Sequence, residues 1–129
     1  MKAPHPTEGE LAILRVLWSR KAPTTVREVH GELTRTKDTA YTTVLKMLTI
    51  MADKGLVRRD ESERSHTYVP EHPEQEVQSS LLADLVRRAF SGSAVKLVQR
   101  ALDDDSASAE ELDAIAKLIA QAKAKRKAR

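Results

Sequence analysis

The hydrophobic period of this chain switches at Gly55, and that switch constrains what the first half can fold into. Upstream of it, three apolar stripes recur at helical spacing: Leu11, Leu14, Leu17 and Trp18, then Val26, Val29 and Leu33, then Val44, Met47, Leu48 and Met51. Downstream, Leu56 to Arg59 and His66 to Val69 read as two short strands. Between them Asp60 to Ser65 is too charged to be buried, which makes the pair a hairpin with a solvated tip. Helix, helix, helix, hairpin within about 70 residues is the order of a winged helix-turn-helix.

Local signals punctuate the helices. Thr7 to Glu10 and Thr25 to Glu28 fit capping boxes, in which a threonine hydroxyl and a glutamate carboxylate each accept an otherwise orphaned amide. The third helix is expected from about Ala40 to Lys54, capped by Asp38 or Thr39 and stopped by Gly55. Pro70 and Pro73 mark a boundary, which predicts a winged-helix domain over 1–72 and a helical module over 73–129. In the second module Val77, Leu81, Leu82, Leu85, Val86 and Ala89 form one broad stripe, and Val95, Val98 and Leu102 mark a short helix. A third box, Ser108 to Glu111, opens a helix carrying Leu112, Ile115, Leu118 and Ile119. The fold class is therefore mainly α with a small β-hairpin. Three helices with faces this broad bury little as one copy, so the expected state is a homodimer packed through Val77, Leu81, Leu85, Val98, Leu112, Ile115 and Ile119. Folding back on the first half as a monomeric cap is the competing arrangement. The segment Lys123 to Arg129 reads as a disordered basic tail that adds phosphate attraction, or as a solubilising frayed helix end.

Composition removes whole classes of function. The chain has 129 residues and no cysteine, so no disulfide framework, thiol nucleophile or cysteine-based metal site is available. Aromatics are 3% of residues, which predicts an aliphatic interior. His5, His30, His66 and His72 lack metal-ligand spacing, and no phosphate-cradling glycine loop or nucleophile elbow is present, so neither an enzyme nor a cofactor or metal site is expected. Apolar runs fall far short of a membrane span and the N-terminus lacks a signal-peptide stretch, which leaves a cytoplasmic protein as the expectation. Net charge is +3, and residues 1–72 hold 12 basic against 10 acidic groups. Any affinity for nucleic acid must come from where the cations sit, because there is no broad basic slab.

Placement points to the third helix and the hairpin. Thr42, Lys46, Thr49 and Asp53 share the face opposite the apolar stripe, and Thr42, Thr43 and Lys46 can reach base edges or phosphates in a major groove. Arg64, Ser65 and His66 at the hairpin tip suit the DNA backbone or minor groove. A threonine and lysine face is also what an ordinary solvated helix presents, and Arg58, Arg59 and Arg64 can pair with Asp60, Glu61 and Glu63. A winged helix that binds a protein partner is the alternative function.

Particular residues resemble those of the penicillinase-repressor (BlaI/MecI/CopY) family. They are Asp38 through Leu45, Leu48, Lys54 through Val57, and Tyr68 through Pro70, with Glu10-Leu11, Leu17-Trp18 and Val26 through Val29 upstream. Phe90 through Ser93, followed by Leu97-Val98, is similar to the junction in that family's dimerisation half. The resemblance implies a homodimeric repressor that binds an inverted-repeat operator, a double-stranded DNA partner. It places Thr39, Tyr41, Thr42 and Thr43 at the start of the recognition helix, Lys46 nearby, and Arg64 with its neighbours in the wing. There are departures: Ile50 stands where many members carry a basic residue, and Glu63 where a wing glycine is common. The resemblance also implies a regulatory protease as partner, yet the position of the family's cleaved Asn-Phe bond holds Arg100-Ala101. The copper-responsive branch binds metal through C-terminal cysteines, which this chain lacks.

Overall fold

Each of the first two helices begins where a threonine closes a capping box. In the computed structural model, which describes residues 4–128, helix α1 (Glu8–Arg20) follows Thr7. The Thr7 hydroxyl accepts the Glu10 amide at 3.2 Å, and the Glu10 carboxylate accepts the Thr7 amide at 2.8 Å. Strand β1 (Thr24–Thr25) then runs directly into α2 (Val26–Leu33), where Thr25 and Glu28 form the same reciprocal pair. The amide and hydroxyl of Thr25 hold the Glu28 carboxyl below the ordinary carboxylate range.

Helix α3 (Tyr41–Lys54) departs from expectation at its start. Neither Asp38 nor Thr39 caps it; the cap residue is Ala40, with no side-chain hydrogen bond. The Thr39 hydroxyl donates instead to the Lys37 carbonyl at 3.1 Å, so it is turned away from the helix amides. The end is as expected: Gly55 takes φ 81°, a left-handed conformation in which a side chain is strained, and its amide closes the last turn.

Strands β2 (Val57–Asp60) and β3 (Thr67–Pro70) each start one residue later than the hairpin read from the sequence. Leu56 explains the first shift, because its amide bonds back to the Met51 carbonyl at 2.9 Å and belongs to the helix-ending turn. The sheet is antiparallel with order β1-β3-β2, so β3 is central, with Thr24 opposite Tyr68 on one side and Arg59 opposite Tyr68 on the other. The third strand, β1, was not expected; two residues carry no period and the strand exists only through its pairing.

Ile13, Leu14, Leu17, Val29, Val44, Leu48, Met51, Leu56 and Tyr68 are almost completely buried and form one core. Trp18, Leu33 and Met47 pack on its edge, and Leu11 is half-buried. The interior is not purely aliphatic: Tyr68 is 1% exposed and is among its largest members.

The chain divides into two compact units, Met1–Ala83 and Asp84–Arg129, and the division falls inside helix α4 (Glu74–Ala89) rather than at Pro70–Pro73. Three interactions hold the start of α4 in the first unit. The Trp18 indole N–H donates to the His72 carbonyl at 3.0 Å, His5 Nε2 lies 3.1 Å from the Ser80 hydroxyl, and Val77 is 2% exposed. Val77 is thus covered within a single chain and offers no surface to a partner, contrary to its expected place in a dimer interface.

In the second unit, Ser91 and Gly92 turn the chain through positive φ, Ser93 caps α5 (Ala94–Asp103), and Ser108 with Glu111 closes the third capping box before α6 (Ala109–Ala128). Asp84 pairs with both Arg87 and Arg88, two positions and one position short of the end of α4. Neither α5 nor α6 has a buried residue. The basic segment, expected as a disordered tail or a frayed helix end, is helical to Ala128; Arg129 lies outside the described residues, as do Met1 to Ala3. Alternating alanine and lysine is strongly helix-forming, and cations suit the negative end of a helix dipole, so the segment continues the helix rather than fraying.

Candidate nucleic-acid interface

Helix α3 shows solvent a face bounded by its own core stripe. Val44, Leu48 and Met51 are fully buried, while Thr42, Lys46, Thr49, Ile50 and Asp53 are exposed on the opposite side. Thr42 and Lys46 occupy its crest. Tyr41 and Leu45 flank the crest on one side, and Thr43 and Met47 on the other. The Thr49 hydroxyl is tied to the Leu45 carbonyl at 2.9 Å, leaving its methyl as the outward group.

Both ends of this helix are held from outside. At its end Lys54 Nζ donates to both Glu10 carboxylate oxygens, at 2.8 and 3.0 Å, joining the last turn of α3 to the first turn of α1. Burial alone would push the Glu10 carboxyl up, but the Lys54 ammonium and the Thr7 amide together outweigh it and hold it below the ordinary range. At its start, His30 of α2 makes two contacts. Its Nε2 lies 2.8 Å from the Thr39 carbonyl, and its ring meets Tyr41 edge to face at a centroid distance of 5.6 Å and an interplanar angle of 72°. Between the ends α1 comes close, since a Cβ on Gly9 would lie 2.9 Å from the Met47 methyl.

The wing side forms an open groove of about 420 Å³ lined by Thr25, Val26, Arg27, Tyr41, Leu45, Arg64, Ser65, His66 and Tyr68. The structure therefore brings Tyr41 together with Arg64, Ser65 and His66, four of the residues singled out in the sequence. Thr39 and Thr43 line a different groove of about 580 Å³ on the α1 side, with Arg15, Lys37 and Met47 among its walls. The expected threonine pair is thus split, with Thr42 on the crest and Thr43 on one flank.

Ion pairing sorts the arginines of the first unit. Arg20, Arg35, Arg58 and Arg59 are matched with Glu28, Glu32, Glu71 and Glu61 respectively. The Tyr68 hydroxyl, and then Glu61, strengthen the hold of Arg59 on its proton, so this arginine is engaged within the sheet. Arg59 therefore pairs within the wing, as one reading allowed, whereas Arg58 pairs with Glu71 beyond it. Arg64 does not: like Arg15, Arg27, Lys37 and Lys46, it has no ion pair or side-chain hydrogen bond among the described residues. Asp60 folds the wing tip by accepting the Ser62 amide at 2.9 Å, a bond that holds its carboxyl below the usual range. Unpaired cations thus line both grooves beside α3 and stand on its crest. Arg15, Arg27, Lys37 and His30 were not singled out for this role in the sequence, because each is brought to α3 by tertiary folding and carries no local motif.

In the second unit Leu85, Val98, Leu112 and Ile119 are exposed, and Ile115 is half-buried; Leu81, in the first unit, is also half-buried. Among the described residues no three metal-ligating side chains converge, and no helix is long and apolar enough to cross a membrane.

Comparison with known proteins bears on this arrangement. The family described as penicillinase repressor matches residues 6–121. A transcriptional regulator BlaI of Mycobacterium tuberculosis is 38% identical over 120 residues, covering 89% of this chain and 83% of that protein. The penicillinase repressor of Bacillus licheniformis is 25% identical over 126 residues, covering 98% of each. Among solved structures, the solution structure of monomeric Bacillus licheniformis BlaI in complex with the blaP half-operator superposes with a TM-score of 0.51 at 27% identity, covering 59% of this chain and 93% of that one. The DNA-binding domain of the repressor BlaI matches over the same shares with a TM-score of 0.50.

Proposed function

We propose, since this chain belongs to the penicillinase repressor family, that it represses transcription as a homodimer seated on an inverted-repeat operator. It is a regulator and not an enzyme. The observation that carries the DNA-binding part is the crest of α3, with Thr42 and Lys46 outward, beside a groove lined by Tyr41 and by the unpaired Arg64 of the wing. A helix crest of this width fits the major groove, where threonine offers a hydroxyl and a methyl to base edges. Lys46, Arg64, Arg27 and Lys37 supply charge to phosphates on either side. The solved relative bound to a half-operator supports this reading, since it is similar to this chain over 59% of its length.

Dimerisation rests on a separate observation. Helices α5 and α6 bury no residue in one chain, yet they present Val98, Leu102, Leu112 and Ile119 to solvent. A second copy related by a two-fold axis covers such faces and sets two winged helices on two half-sites. In this reading Leu81, Leu85, Val98, Leu112, Ile115 and Ile119 form the interface. Arg100-Ala101 lies inside α5, so a regulatory protease acting there meets helical rather than extended backbone and requires that helix to open.

Electrophoretic mobility shift and footprinting on the promoter of the protein's own gene, at two salt concentrations, test the reading. Protection of a dyad-symmetric site, with affinity that falls as salt rises, is the expected result. A folded dimer that shifts neither this promoter nor random DNA at low salt removes it, and favours the protein-binding winged helix.

A further inference from the structure

We infer that His30 is a positioning residue for operator recognition: it sets the start of the recognition helix that the helix does not cap for itself. The inference deepens the DNA-binding function proposed above and rests on it. Helices α1, α2 and α5 are each entered through a residue whose side chain accepts a first-turn amide; α3 is entered through Ala40, which cannot do so. The segment before α3 is nonetheless held at one residue from the cap. A carbonyl oxygen only accepts, so the 2.8 Å contact requires His30 Nε2 to carry a proton and donate it to Thr39. The same ring then meets that of Tyr41, the first residue of the helix, in an edge-to-face arrangement.

His30 stands at the middle of α2, where it is half-buried, and the neighbouring Val29 is fully buried in the core. It is therefore a rigid post. Tyr41 is 45% exposed and lines the wing-side groove with Arg64 and His66, so its ring has solvent on one side and His30 on the other. Released from that contact, the ring and the Thr39 segment sample further orientations, and the freedom must be surrendered when DNA is bound. Phosphate contacts from Lys46 and Arg64 do not depend on His30, so affinity for DNA of any sequence is untouched by this route. The effect falls on discrimination.

The test compares the full-length protein with His30→Ala and His30→Gln, measuring affinity for its footprinted operator and for random duplex of the same length, with thermal unfolding as a control. For His30→Ala the expected result is an operator affinity lower by roughly threefold to tenfold with random-DNA affinity unchanged. Gln keeps an N–H for the Thr39 carbonyl but not the ring, so His30→Gln should fall between the alanine variant and the wild type. The chain has two tyrosines, of which Tyr68 is 1% exposed, so ring signals of labelled tyrosine give a second readout: Tyr41 shifts in His30→Ala and Tyr68 does not. An unchanged ratio of operator to random affinity in a folded His30→Ala protein overturns the inference while leaving the repressor reading intact. Equal losses on both DNAs, with Gln no better than Ala, also overturn it, because they mark a structural role alone. A wild type that does not discriminate at all overturns the parent reading, and this one with it.

Discussion

Glu10 does two jobs, and the sequence showed one of them. Its place three residues after Thr7 made the capping box legible, because that bond lies within one turn. Its pairing with Lys54, 44 positions away, was not, since no local pattern encodes a contact made by tertiary packing. The His30–Thr39 bond and the exposed Arg27 beside the wing were hidden for the same reason, whereas the exposure of Lys46 and Arg64 was legible in their own segments. The Glu10 carboxylate has its pKa lowered in the fold, from an ordinary value of 4.5. Its stabilising effect is therefore fully present above that value and is lost as pH falls through the lower, folded value. Glu10→Gln should lower stability at neutral pH by about 1 kcal/mol, less than a fully buried pair because Lys54 is partly exposed and screened. Urea midpoints of variant and wild type should converge as pH drops below about 4.5. A gap that stays constant down to pH 3 contradicts the assigned ion pair.

Elements whose residues carry a period or a cap were legible to within a residue or two. The helices after Thr7, Thr25, Ser93 and Ser108 begin at side chains able to accept an amide, and α3 ends at a glycine in the left-handed region. What escaped was structure made by pairing: β1 exists because Thr24 and Thr25 lie beside Tyr68 and Thr67. The basic segment was left between a disordered tail and a frayed helix end, because its charge was weighed against the helix propensity of its alanines and lysines, and the propensity prevails. Gly55 supplies the test at this scale. Nothing lies within 4 Å of where its Cβ would be, so replacement meets no steric obstacle beyond the backbone's own φ of 81°. Gly55→Ala should cost about 1 kcal/mol, the left-handed strain less the entropy the unfolded chain loses. The urea midpoint should fall with the slope m unchanged; an unaltered midpoint contradicts the left-handed cap.

At the scale of the whole chain, Pro70 and Pro73 suggested the boundary, but compactness continues past them through Trp18, Ser80 and Val77 into α4. Prolines interrupt hydrogen bonding along the backbone; they do not prevent side chains beyond them from packing. Two fragments separate the consequences. Residues 1–83 should fold and sediment as a monomer, whereas residues 1–72 lack Val77 and should be less stable by about 1.5–3 kcal/mol, as expected for uncovering a buried valine-sized surface. A 1–83 fragment that still dimerises moves the assembly surface out of α5 and α6.

The chain holds one tryptophan, and Trp18 reaches from α1 to the His72 carbonyl inside the first unit. Its emission is thus a built-in reporter on melting of the first unit. If the midpoint of that emission rises with protein concentration, association of the chains, as proposed, reinforces the first unit; if it stays flat, that unit melts without help from association.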